Sequence, residues 1–179
     1  MNKQLNLADK GIEILFKGLY RPLCLYALHY VKDTEAAEDV VQDAFMAYWN
    51  HSRGDSVLAS PRAYLYTSVR NICIDILRKK APDQIDLDKI PIDTESVITD
   101  EEAQARSGAE ARLWTAIDRL PAQRRQLLLM SKRDGLTYSE IASELGLSVF
   151  TVRNQISRAL SSLRKDTGLN LKTILFLLG

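Results

Sequence analysis

Wherever apolar side chains recur along this chain they do so with the helical period, so the pattern predicts helices rather than strands. Ala37, Val40, Val41, Ala44, Phe45, Tyr48 and Trp49 step alternately by three and one. Asp33 or Thr34 is placed to cap the start of that helix, and Glu35, Glu38 and Asp39 suit the positive end of its dipole. Upstream, Ile12, Leu15, Phe16, Leu19, Leu23, Tyr26, Ala27 and Tyr30 form a similar stripe, which Pro22 is expected to interrupt or kink. Downstream, Ser60-Pro61 reads as an N-cap followed by proline at the first helical position. Leu65, Val69, Ile72, Cys73 and Ile76 then form the inward face of a third helix. Three helices with one apolar face each predict a bundle over roughly residues 10–80.

The period is lost between about Ala81 and Gly108, a stretch that carries Pro82, Pro91 and a run of aspartates. It reads as an acidic linker. Helices resume over Ala111–Leu120, which ends at Pro121, and Ala122–Arg133, which ends at the turn signal Asp134-Gly135. The expected organisation is therefore all-α: an N-terminal domain over 1–80, a linker over 81–108 and a C-terminal domain over 109–179.

Within the C-terminal domain, Thr137-Tyr138-Ser139-Glu140 has the spacing of a capping box, in which threonine and glutamate satisfy each other's orphan backbone donors. Ile141, Ala142 and Leu145 supply the inner face of a short helix, and Gly146 stands where it must end in the left-handed conformation. Ser148 can cap a following helix with Val152, Ile156, Leu160 and Leu163 inward. Capped helix, small residue at the crossing, glycine turn and capped helix together specify a helix-turn-helix. The outward face of its second helix offers Thr151, Arg153, Asn154, Ser157 and Arg158. Arginine can read guanine, asparagine can read adenine, and hydroxyls can take phosphates or bases. An ordinary helical hairpin with a solvated face would show part of the same pattern.

Composition narrows the classes further. With 179 residues, 46% hydrophobic and 26% charged, the chain can bury one or two small cores. The net charge of +1 conceals segregation: Arg119–Lys165 carries +6, Pro61–Lys80 carries +4 and Asp83–Glu110 carries −7. Two basic blocks around an acidic connector suit a polyanion touched at two places, although solvated helix faces would also account for them. Cys24 and Cys73 lie in apolar helical patterns, as buried thiols in a reducing compartment do. Met1–Lys10 is polar and resembles no signal peptide, so a cytoplasmic location without membrane insertion is expected. His29 and His51 form no metal-ligand pattern and no catalytic motif occurs, so no catalytic residue, metal or cofactor is expected. The apolar tail Leu169–Leu178 reads as a short amphipathic helix that either packs back on the second domain or offers a docking surface to another protein.

Taken in order, three blocks resemble the bacterial sigma-70 family, in the short extracytoplasmic-function form that keeps only regions 2 and 4. Ala37-Glu38-Asp39-Val40-Val41-Gln42-Asp43-Ala44-Phe45 with Tyr48-Trp49 resembles the polymerase-binding part of region 2. Pro61-Arg62-Ala63-Tyr64-Leu65-Tyr66, Asn71-Ile72-Cys73-Ile74-Asp75 and Arg78-Lys79-Lys80 resemble the part that engages the −10 element. Leu120-Pro121, Gly135–Ala142 and Ser148–Arg153 resemble region 4.

The resemblance implies a sigma factor that binds core RNA polymerase and directs initiation at specific promoters. It implies that Glu38, Asp39, Gln42, Asp43 and Met46 contact the β′ coiled coil, and that region 4 contacts the β flap. Tyr64, Thr67, Asn71, Asp75, Arg78 and Lys79 would open and hold the −10 strand, with Asn71 beside the pocket for a flipped base. Thr151, Arg153, Asn154, Ser157 and Arg158 would read the −35 element as duplex. Members are commonly restrained by an anti-sigma factor, with which the apolar and acidic faces here are compatible. A stand-alone helix-turn-helix regulator, acting without polymerase, is the alternative that the C-terminal domain alone would allow.

Overall fold

The computed structural model describes residues 2–52, 60–80 and 100–179. Among these the secondary structure is entirely helical: α1 Asn2–Val31, α2 Thr34–Ser52, α3 Pro61–Lys80, α4 Asp100–Arg119, α5 Ala122–Lys132, α6 Tyr138–Leu145, α7 Val149–Thr167 and α8 Leu171–Leu177. They form two compact units, Met1–Trp114 and Thr115–Gly179.

In the first unit α1, α2 and α3 pack on one another. α2 begins where Asp33 Oδ1 accepts from the Ala36 amide at 2.8 Å, so aspartate rather than threonine is the cap. α3 begins as expected, with Ser60 Oγ accepting from Ala63 and Pro61 at the first position, where its missing N–H is no loss. α1 runs through Pro22 without interruption. Proline deletes one backbone bond there, and burial of Leu19, Leu23, Tyr26 and Ala27 around it holds the helix together.

The inward face of α3 departs from the pattern-based expectation. Leu65, Val69 and Cys73 are buried, but Ile72 and Ile76 are half-exposed. Tyr66 and Ile74, outside the expected stripe, are buried. The reason is α4, which begins at Asp100 and not at Ala111. Its part through Trp114 belongs to the first unit. Trp114 is fully buried, with its ring 5.7 Å from Tyr26 and 5.6 Å from His29. The residues between 100 and 108, expected as linker, are thus helical, while 81–99 lie outside the described residues. Cys73 is a buried thiol whose pKa burial pushes up to about 12, and burial also raises that of half-buried Cys24.

The second unit is built on α7, against which α5, α6 and α8 pack. Its inner stripe is Val152, Ile156, Ala159 and Leu163; Leu160, expected inward, is half-exposed, because the 4-3-4 step places Ala159 at the contact. α8 buries Ile174, Leu177 and Leu178, so the apolar tail does fold back on its own unit.

Candidate nucleic-acid and polymerase interfaces

The turn between α6 and α7 is closed by local chemistry. Thr137 Oγ1 accepts from the Glu140 amide at 3.3 Å, and Glu140 Oε2 accepts from the Thr137 amide at 2.8 Å and hydroxyl at 2.7 Å. Gly146 ends α6 with φ 64°, and Leu147 donates back to the Ala142 carbonyl at 2.9 Å. A side chain at Gly146 would meet nothing within 4 Å, so the left-handed backbone is what selects glycine. Ser148 Oγ accepts from the Thr151 amide at 3.0 Å and starts α7.

Hydrogen bonds from the Thr137 backbone, and then from its side chain, hold the Glu140 carboxyl below its ordinary range. A depressed carboxyl contributes stability that is present above its unfolded pKa and lost as pH falls through the folded value. Amide protection in the first turn of α6 should therefore hold at neutral pH and fall in acid. In Glu140→Gln, hydrogen exchange should lose that pH dependence. An unchanged acid response in this variant would show that another group controls the turn.

Across α7, the five residues expected to read the −35 element all fall away from the core stripe. Arg153, Ser157 and Arg158 are exposed, and Asn154 and Thr151 are half-exposed. Thr151 also shares a hydroxyl contact of 2.8 Å with the Ser148 cap. Behind this helix, Arg124 donates to Gln155 at 3.1 Å, tying α5 to α7. Phe150 is 70% exposed at the leading end.

On α2, Glu38, Asp39, Gln42, Asp43 and Met46 are all exposed on the side opposite Val40, Val41, Ala44 and Phe45. Beside them an apolar groove runs between α1 and α2, lined by Ile12, Phe16, Tyr20, Phe45, Met46 and Trp49.

The −10 candidates on α3 divide into two groups. Asn71, Asp75, Arg78 and Lys79 are exposed, with Arg78 3.9 Å from Asp75. Tyr64 is half-exposed, its ring stacked on His51 at 5.6 Å. Thr67 is not on that open face: its hydroxyl lies 2.7 Å from that of fully buried Ser107 on α4. Next to this contact is a cluster that the sequence pattern does not reveal. Glu110, 2% exposed, receives the Tyr26 hydroxyl at 2.9 Å, Arg70 at 3.4 Å and Arg106 at 3.3 Å. Burial raises the Tyr26 hydroxyl well above its ordinary pKa, so it stays a donor. The Arg106–Glu110 spacing of four was a signal in the sequence; nothing there pointed to Arg70 or Tyr26.

The comparisons with known proteins agree with this layout. The family model for sigma-70 region 2 matches residues 15–82, and that for sigma-70 region 4 matches 110–163. The ferric citrate uptake sigma factor FecI of Escherichia coli K12 is 31% identical over 124 residues, covering 69% of this chain and 71% of FecI. The chain belongs to the sigma-70 family. More narrowly, it is a sigma factor of the extracytoplasmic-function type: RpoE of Cereibacter sphaeroides, of that type, is 35% identical over 131 residues, 72% of this chain and 71% of that protein. SigL of Mycobacterium tuberculosis H37Rv, also of that type, is 30% identical over 140 residues and 78% of each chain. As a sigma factor it associates with core RNA polymerase and promoter DNA and serves as a transcription initiation factor. The match over region 2 leaves the stand-alone regulator without support. Among the described residues, no helix of this sigma factor is long and apolar enough to cross a membrane.

Proposed function

We propose that this sigma factor divides its work among three helix faces. Residues 1–80 act as region 2 and 109–179 as region 4, joined by an acidic stretch over 81–99 and the start of α4. The acidic outer face of α2, through Glu38, Asp39, Gln42, Asp43 and Met46, binds the β′ coiled coil of core polymerase. A face rich in carboxylates and amides suits a basic partner, and exposed Met46 together with the adjoining groove would take its apolar side chains. Asn71, Asp75, Arg78 and Lys79 of α3, with Tyr64 at the edge, hold the −10 strand once it opens. Trapping unstacked bases needs aromatic and amide groups beside cations, and this face offers them together. Thr67 supports the face through Ser107 and does not itself present to DNA.

Arg153, Asn154, Ser157, Arg158 and Thr151 of α7 read the −35 element as duplex, while the far side of the same unit meets the β flap. The observation that carries this reading is the doubly capped helix-turn-helix, whose second helix turns a cationic, amide-bearing face outward. DNA affinity of the holoenzyme should fall steeply with salt, as phosphate neutralisation requires. An anti-sigma partner would act by covering the α2 face or the α7 face.

The test is run-off transcription with core polymerase and Asn71→Ala. A strand-holding residue contributes to opening, so this variant should initiate about tenfold less on duplex promoter, the share one stacked or trapped base contributes. On a template already unpaired across the −10 element most of that deficit should vanish. An equal deficit on both templates would remove Asn71 from the opening step.

A further inference from the structure

Phe150 is an apolar ring that the fold does not use. It occupies the second position of α7 and is 70% exposed, outside the core. The core stripe of α7 is Val152, Ile156, Ala159 and Leu163. At 3.6 residues per turn, Phe150 lies on the opposite side, in line with Asn154 and Ser157 and one step from Arg153. Long side chains on a helix lean toward its N-terminus, which is the end that a recognition helix presents to base edges. In the major groove every base-pair edge carries hydrogen-bonding groups, and the one apolar feature is the 5-methyl of thymine. From this placement we propose that Phe150 reads a thymine methyl in the −35 duplex. It thereby adds a preference for one A·T pair, in one orientation, read through the methyl and not through the hydrogen bonds that Arg153 and Asn154 make. The inference rests on α7 being the duplex-reading helix.

Holoenzyme assembled from the full chain and core polymerase, on a promoter from which it initiates, provides the test. Each thymine of the −35 element, on either strand, is replaced singly by deoxyuridine, which exchanges only the methyl for hydrogen. Wild type should lose about fourfold in open-complex formation at one of these positions, the worth of one buried methyl-sized group. Phe150→Ala should lose a similar factor on the thymine template and show no further loss with uracil at that position. Because the ring is exposed, this variant should keep the thermal stability of wild type. Indifference of wild type to uracil at every position would overturn the proposal. So would full uracil sensitivity in Phe150→Ala, or a loss in that variant that is uniform over all −35 sequences, as a protein contact would produce. Arg153→Ala with Asn154→Ala separates the two levels. If that double variant loses selectivity while uracil changes nothing, only the methyl readout fails. If its promoter choice is unchanged, the assignment of α7 fails as well.

Discussion

Replacing Arg153 and Asn154 together by alanine will leave the protein folded and bound to polymerase while erasing its choice among −35 sequences. Both side chains project from the outer face of α7, and neither belongs to the stripe packed against α5, α6 and α8. Surface truncations of this kind change stability little. Their effect falls on recognition, where a well-formed bidentate pairing of side chain and base discriminates against the wrong base by about 1–3 kcal/mol. Removing two such pairings should reduce the preference for the proper promoter over one with an altered −35 element by about two orders of magnitude or more. Competitive run-off transcription on paired templates measures this ratio directly. A double variant that retains wild-type preference would place the reading surface elsewhere.

Glu110→Ala is expected to be the most damaging single change in the first unit. The carboxylate is almost wholly buried and holds Arg70 and Arg106, themselves only 14% and 15% exposed, with the Tyr26 hydroxyl on the same oxygen as Arg70. Removing it takes the buried carboxylate away from both guanidinium groups, and breaking a buried pair in this way costs about 3–5 kcal/mol. Both tryptophans of the chain, Trp49 and Trp114, lie in this unit, so tryptophan fluorescence reports its unfolding without interference from the second. In urea, Glu110→Ala should unfold at much lower denaturant. Arg70→Ala combined with Glu110→Ala should cost less than the two separate losses, because one of the guanidinium groups that lost the carboxylate is then removed as well. A loss below about 1 kcal/mol in Glu110→Ala would mean that apolar packing such as Trp114 on Tyr26 holds α4 by itself.

That cluster also explains where reading the sequence succeeds and where it stops. Features set within a few residues are legible: the Thr137–Glu140 box, Gly146, the Ser60-Pro61 start and the stripes of α2 and α7 are all local patterns with a local cause. What escapes the pattern depends on partners distant in sequence. Gly108, the aspartates and the prolines argue against helix between 81 and 108, yet α4 starts at Asp100 because Ser107, Glu110 and Trp114 find partners on α3 and α1. Tertiary packing overrides weak propensity. The same partners turn α3 about its axis relative to the expected core face, burying Tyr66 and engaging Thr67 while leaving Asn71, Asp75, Arg78 and Lys79 outward. Most of the candidate site is therefore legible as helix faces, and Thr67 is misplaced by the pattern because its covering helix is hidden in an apparent linker.

Promoter-directed initiation by this sigma factor depends on the outer face of α2 joining it to polymerase. The direct measurement is binding of the full chain to purified sigma-free core RNA polymerase, wild type against Asp39→Arg combined with Asp43→Arg. Both aspartates are exposed and opposite the core, so reversing them should leave helix content unchanged. Wild type should bind stoichiometrically, and the charge-reversed protein should fail to bind at the same concentrations. Undiminished binding by the charge-reversed protein, or none by folded wild type, would contradict the account.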